Sequence, residues 1–132
     1  MPEPEAASLA REWLCYAEDD LRAAAASLAS RSAYTPRHVC FDAQQAAEKA
    51  IKACCVLDQI EFPFSHDLVE VAQLLRQPRV LTVGAFELEW LGQWATSTRY
   101  PGGAEPDWSD AGRAVEVAAT VVADARASLE GT

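Results

Sequence analysis

The chain has 132 residues, half of them hydrophobic, and a formal charge of −9 from 11 lysines and arginines against 20 acids. That length allows one domain with a core of its own and no need of disulfide staples. No window approaches the ~18 apolar residues of a membrane span. The acidic Met-Pro-Glu-Pro-Glu start lacks the pattern of a secretory signal, so a cytoplasmic location is expected. Eleven basic residues without a basic run argue against a surface that coats nucleic acid. A small nucleotide in a local pocket, or a basic protein partner, stays compatible with the charge.

The first helix is predicted from about Ala6 to Ala29, with Leu9, Trp13, Tyr16, Ala17, Leu21, Ala24 and Leu28 on its apolar face. Arg11, Glu18, Asp19 and Arg22 fall outside, and Asp20 projects at the edge of the apolar stripe, suited to a structural hydrogen bond or to a proton-active role. Thr35-Pro36 opens a second helix, threonine as N-cap and proline at the first helical position, that runs to about Asp58. Its stretch from His38 to Lys52 is the most informative part of the chain. Cys40, Ala43, Ala47, Ala50, Ile51 and Cys54 share one stripe, while Asp42, Gln45, Lys49 and Lys52 fall opposite. Alanine and cysteine on the inner face let a neighbouring helix approach closely. Glu48 and Lys52 form an i,i+4 ion pair, and Gln44–Glu48 and Gln45–Lys49 are neighbours of the same kind. This pattern predicts the central helix of a bundle.

Phe62-Pro63-Phe64 ends the next connection, and Ser65 is the expected cap of a short third helix, about His66 to Arg76, with Asp67 in its first turn. Pro78 separates it from a fourth helix, about Val80 to Ser97, whose Val83, Phe86, Leu88, Trp90, Leu91, Trp94 and Ala95 cover more than half its circumference. Such a helix is either deeply central or covered on a second side by a partner subunit. Arg99-Tyr100-Pro101-Gly102-Gly103 breaks it, an acidic loop follows, and a fifth helix from about Ser109 to Leu129 carries an alanine- and valine-rich face. With no strand pattern, repeat or linker, the chain reads as an all-α, up-and-down bundle of four to five helices in a single domain, residues 1–132. Cys15, Cys40, Cys54 and Cys55 lie in helical patterns without zinc-ligand spacing, so free thiols, no metal and no cofactor are expected.

Several residues carry both a functional and a structural reading. His38, Asp42, Gln45 and Lys49 line one ridge of the second helix, either a groove that takes a phosphate at Lys49 and a base at Gln45 or an ordinary solvated face. His66, at a predicted helix start, suits an anion or proton transfer, or else a capping role. Glu87, amid the apolar wedge of the fourth helix, is either a proton-active acid or the partner of Arg99 or of a lysine from the second helix. Arg99 and Tyr100 are the foremost binding candidates. A guanidinium beside a Pro-Gly-Gly loop suits a phosphate or carboxylate, whereas the structural alternative is a cation closing the last turn of a helix.

Four segments line up with one family: Trp-Leu-x-x-Ala-x-x-Asp-Leu (Trp13 to Leu21), His-x-Cys-Phe-x-Ala-Gln-Gln-Ala-Ala-Glu-Lys-Ala-x-Lys (His38 to Lys52), Phe-Pro-x-Ser-His-Asp-Leu (Phe62 to Leu68) and Thr-Arg-Tyr-Pro (Thr98 to Pro101). In this order they resemble the HEPN domain family, over nearly the whole chain, with the second segment the specific part. The resemblance implies a helical bundle that is usually dimeric and often encoded beside a minimal nucleotidyltransferase, many such pairs being toxin–antitoxin modules. Several branches are metal-independent ribonucleases that act through an Arg-x4-6-His motif. That motif is missing: no histidine follows Arg99, and Arg31 precedes His38 by seven positions with a proline between them. The expected function is therefore a binding module that engages a nucleotide or a nucleotidyltransferase partner, with no catalytic residue assigned. The rival is an RNA-cleaving toxin, for which His66 with Arg99 is the available His/Arg pair.

Overall fold

The computed structural model describes residues 3–31, 34–98 and 100–131. Five α-helices follow one another: α1 Pro4–Ala29, α2 Pro36–Leu57, α3 Leu68–Ala72, α4 Ala85–Gly92 and α5 Trp108–Glu130, with a 3-10 turn, Gln93–Ala95, extending α4. No strand occurs among the described residues. α2 is the hub. It packs on α1 and α5 along most of its length, and the short α3 and α4 close over a further side. No helix among the described residues is long and apolar enough to cross a membrane.

Small residues explain why α2 can be central. Ala43, Ala46, Ala47, Ala50 and Ala53 are all fully buried, as are Cys40, Ile51 and Cys55, so neighbouring backbones approach from several sides with few large side chains between them. Cys54 is buried as well. The buried thiols behave as small hydrophobes. Burial pushes Cys40 up to about 12 and Cys54 and Cys55 up to about 11, which leaves them protonated and unreactive at neutral pH. Cys15 is exposed, and all four are free.

The same close packing shifts the inner face of α1 away from the predicted one. Ala6, Ala10, Leu14, Ala17, Ala24 and Ser27 are buried, whereas Leu9 is 47% and Tyr16 64% exposed. Ala10, Ala17 and Ala24 recur at heptad spacing and admit α2 at short range, so the larger residues are left on the flank.

The termini of the helices correct three further expectations. Thr35 stands at the N-cap position of α2, but its side chain does not cap; its hydroxyl pairs with His38 Nδ1 at 3.0 Å instead. Asp67, not Ser65, caps α3: its Oδ1 accepts from the N–H groups of Val69 at 3.0 Å and Glu70 at 3.2 Å. Ser65 Oγ accepts from Asp67 N–H one step earlier. α4 starts at Ala85 rather than near Val80. The residues before it form a strap across the ends of α2 and α5. Arg79 grips Asp58 with two bonds of 3.1 Å and Ser128 O at 3.3 Å, and Thr82 gives both its N–H and its hydroxyl to Asp124 Oδ2. These side-chain bonds hold the strap against both helices.

α5 opens on a capping box, Asp107 and Asp110 each accepting from the other's backbone N–H. The turn ahead of it needs its glycines. Gly102 sits at φ 89, and a Cβ on Gly103 would come within 2.9 Å of the Ser97 carbonyl oxygen.

Candidate functional site

The polar residues of α2 fall into two groups that differ in burial. On one flank Gln44, Glu48 and Lys52 follow each other at i,i+4 and are nearly inaccessible, at 0%, 6% and 8%. Lys52 therefore does not face solvent as its place opposite the apolar stripe implies. The connection from Asp58 to Asp67 folds back over this flank and supplies its missing partners. Lys52 Nζ donates to Glu48 Oε2 at 3.1 Å and to Ser65 O at 3.2 Å, while Gln44 Nε2 donates to Glu48 Oε1 at 3.1 Å and His66 O at 3.3 Å. Phe62 closes the cluster: its ring lies 5.3 Å from the Lys52 ammonium and edge-on to Trp13 at 6.0 Å.

His66 completes the set, with Nδ1 2.8 Å from Glu48 Oε1. Burial alone pushes the Glu48 carboxyl up, but bonds from His66, Gln44 and Lys52 and the Lys52 charge outweigh it and hold the group below its ordinary range. An ionised carboxylate only accepts hydrogen bonds, so His66 Nδ1 is the donor. The His66 side chain is 48% exposed. It lines a cleft of about 300 Å³ between the start of α3 and the end of α4, together with Asp67, Glu89, Gly92, Gln93, Ala95 and Thr96. The N–H groups that would receive an anion at the start of α3 are already taken by Asp67, and α3 has only five residues.

The other flank is partly open. Lys49 Nζ lies 2.6 Å from Asp20 Oδ2 and 6.0 Å from the centre of the Tyr16 ring, which makes Asp20 a structural partner. Gln45 Nε2 donates to Gln44 Oε1 at 2.7 Å. Asp42 is raised by burial first and by the nearby Asp20 charge second, with His38 and Lys49 working against them. Beside this flank Leu9, Glu12, Trp13, Tyr16 and Lys49 line a groove of about 340 Å³.

The structure therefore does not bring the predicted binding residues into one place. His66 belongs to the Glu48 cluster, Gln45 and Lys49 belong to the adjacent flank, and Tyr100 is an exposed ring in the turn after α4. Arg99 lies outside the described residues. Glu87 is met by α5 and not by a lysine of α2, and its expected pairing with Arg99 lies outside the described residues. Arg113 of α5 meets it with two bonds of 3.0 Å and stacks 4.0 Å from the centre of the Trp90 ring. Sequence reasoning passed over Gln44, Glu48 and Lys52 as a buried cluster. The available signal was Phe41 and Cys55, apolar residues seven positions to either side of Glu48 on the same strip of the helix.

A helical bundle built around this alanine-rich helix matches the HEPN domain model over residues 10–127. The chain belongs to the HEPN domain family. Two solved structures have the same fold. TT1696 from Thermus thermophilus is 26% identical, with a TM-score of 0.75 over 89% of this chain and 96% of that one. ST0689, an archaeal HEPN homologue, is 25% identical, with a TM-score of 0.69 over 91% and 97%. No curated protein matches the sequence.

Proposed function

We propose that this HEPN protein is a binding module that assembles as a homodimer and engages a protein partner. The minimal nucleotidyltransferase implied by the family resemblance is the candidate partner, in a two-protein pair of the toxin–antitoxin kind. The observation that carries this reading is apolar surface left open on two separate flanks. α1 presents Leu9 and Tyr16 beside the Trp13 groove, and the α4 side presents Val80, 52% exposed, and Phe86, 74% exposed. α1 and α4 both pack on α2 and α5 but, among the described residues, have no contact with each other, so a dimer through one flank leaves the other for a partner. We take the α4 side for self-association and the α1 flank for the partner. The charge of −9 favours a basic partner.

A phosphate-bearing nucleotide is a poorer ligand for the cleft beside His66, which carries Asp67 and Glu89. A ribonuclease needs a cation near its base, and no lysine or arginine is among the described residues lining that cleft.

Light scattering of the purified chain, alone and co-expressed with any nucleotidyltransferase encoded beside it, tests the reading. The expected result is a dimer that Phe86→Asp dissociates, and a partner complex that Tyr16→Asp removes while the dimer survives. A wild-type monomer at micromolar concentration, with co-purification indifferent to Tyr16→Asp, overturns it.

A further inference from the structure

The groove beside α1 belongs to a longer surface. Glu5, Leu9, Glu12 and Tyr16 follow one another at spacings of four, three and four, which sets them on one strip of the helix. All four are exposed, and Leu9 and Tyr16 are the large hydrophobic residues that α1 leaves open. Trp13, partly buried and edge-on to Phe62, lines the groove of about 340 Å³ with them. Neither Glu5 nor Glu12 forms an ion pair among the described residues. Arg11 and Arg22 fall on the opposite side of α1, and Lys49, which also lines the groove, is answered by Asp20 at 2.6 Å. Apolar surface and uncompensated negative charge therefore alternate along the strip.

We infer that this strip seats a basic amphipathic helix of the partner protein, its apolar side chains over Leu9, Trp13 and Tyr16 and its lysines or arginines at Glu5 and Glu12. The inference rests on the proposed assignment of the α1 flank to a protein partner and adds the kind of segment that docks there. Spacing selects a helix. Glu5 and Glu12 are seven residues apart, as are Leu9 and Tyr16, a repeat of ~10 Å along the axis that a second helix matches with its own heptads. A strand presents a side chain to one face every ~6.7 Å and falls out of step. Charge selects the sign. A second copy of this chain brings the same acidic strip and a charge of −9, with no base on that strip to meet Glu5 or Glu12.

A synthetic three-heptad peptide with leucine and lysine alternating along one seam, and alanine and glutamine elsewhere, tests it on the whole chain. NMR of the indole N–H groups reads the site, because the chain has four tryptophans and only Trp13 lines the groove. The expected result is saturable movement of the Trp13 signal with Trp90, Trp94 and Trp108 unmoved, and no response to the same peptide carrying glutamate for lysine. Glu5→Gln combined with Glu12→Gln, both at exposed positions, is expected to weaken binding several-fold at low salt while the melting temperature stays close to wild type. Three outcomes overturn the inference: silence of Trp13 at millimolar lysine peptide, an equal response to the glutamate peptide, or equal binding by the double variant. Capture of a nucleotidyltransferase encoded beside the chain separates this inference from the reading beneath it. A complex lost with Tyr16→Asp but indifferent to the double variant and to salt upholds the α1 flank as the partner site and overturns the basic helix.

Discussion

The two polar flanks of α2 each combine an acid, a glutamine and a lysine, yet they do different work. Gln44, Glu48 and Lys52 are covered by the returning connection, and the Glu48 and Lys52 side chains keep only 7% and 10% exposure. Asp20 and Lys49, on the neighbouring flank, keep 28% and 27%. In the covered cluster every charge has several partners and the carboxylate stays ionised. In the open one Asp42 is pushed toward its neutral form because burial and a second carboxylate act on it together. Burial raises the stakes of a polar group in both directions, and the partners decide the sign.

The largest expected contrast follows from removing one acid on each flank. Glu48→Ala strands a buried ammonium and is expected to cost ~3–5 kcal/mol, whereas Asp20→Ala, in a part-exposed pair, is expected to cost no more than ~1 kcal/mol. Urea denaturation measures both, and equal losses would erase the distinction between the flanks. Ala47→Leu probes the packing that encloses α2 between them. Ala47 is fully buried, and the added volume is expected to cost ~1–3 kcal/mol; unchanged stability would show that the helix contact has room to spare.

The pH dependence sharpens the comparison because the two acids shift in opposite directions. Glu48 is lowered from 4.5 in the folded state. Its contribution is therefore complete above pH 4.5 and is lost as pH falls through its depressed folded value. Asp42 is raised from 3.8, so its ionised form opposes folding at neutral pH and that cost is relieved in acid. Melting temperatures between pH 7 and pH 3 are expected to fall less steeply for Glu48→Gln than for the wild type. The smallest effect is Asp42→Asn, expected to add up to ~0.5 kcal/mol at neutral pH and to leave the acid loss in place. A loss of stability at neutral pH would mean that Asp42 is held by its cationic neighbours after all.

The sequence by itself determined the fold class, the long helices and the family. Those features rest on local periodicity, on Pro36 and the Asp107 box at helix starts, and on the alanine run of α2, all of which act within a few residues of chain. Tertiary structure decided which polar residues matter. Gln44 and Gln45 are adjacent and identical in type, but only one lies beneath the Asp58–Asp67 connection, and nothing within α2 specifies where that connection folds back. It likewise decided the partner of Glu87, which comes from α5, and the inner face of α1, which the small residues of α2 select. Helix starts such as that of α4 moved for the same reason: Arg79 and Thr82 find bonds on α2 and α5 that compete with helix formation. Pairings between distant segments depend on how the helices are set against one another, and periodicity within a single helix carries no information about that.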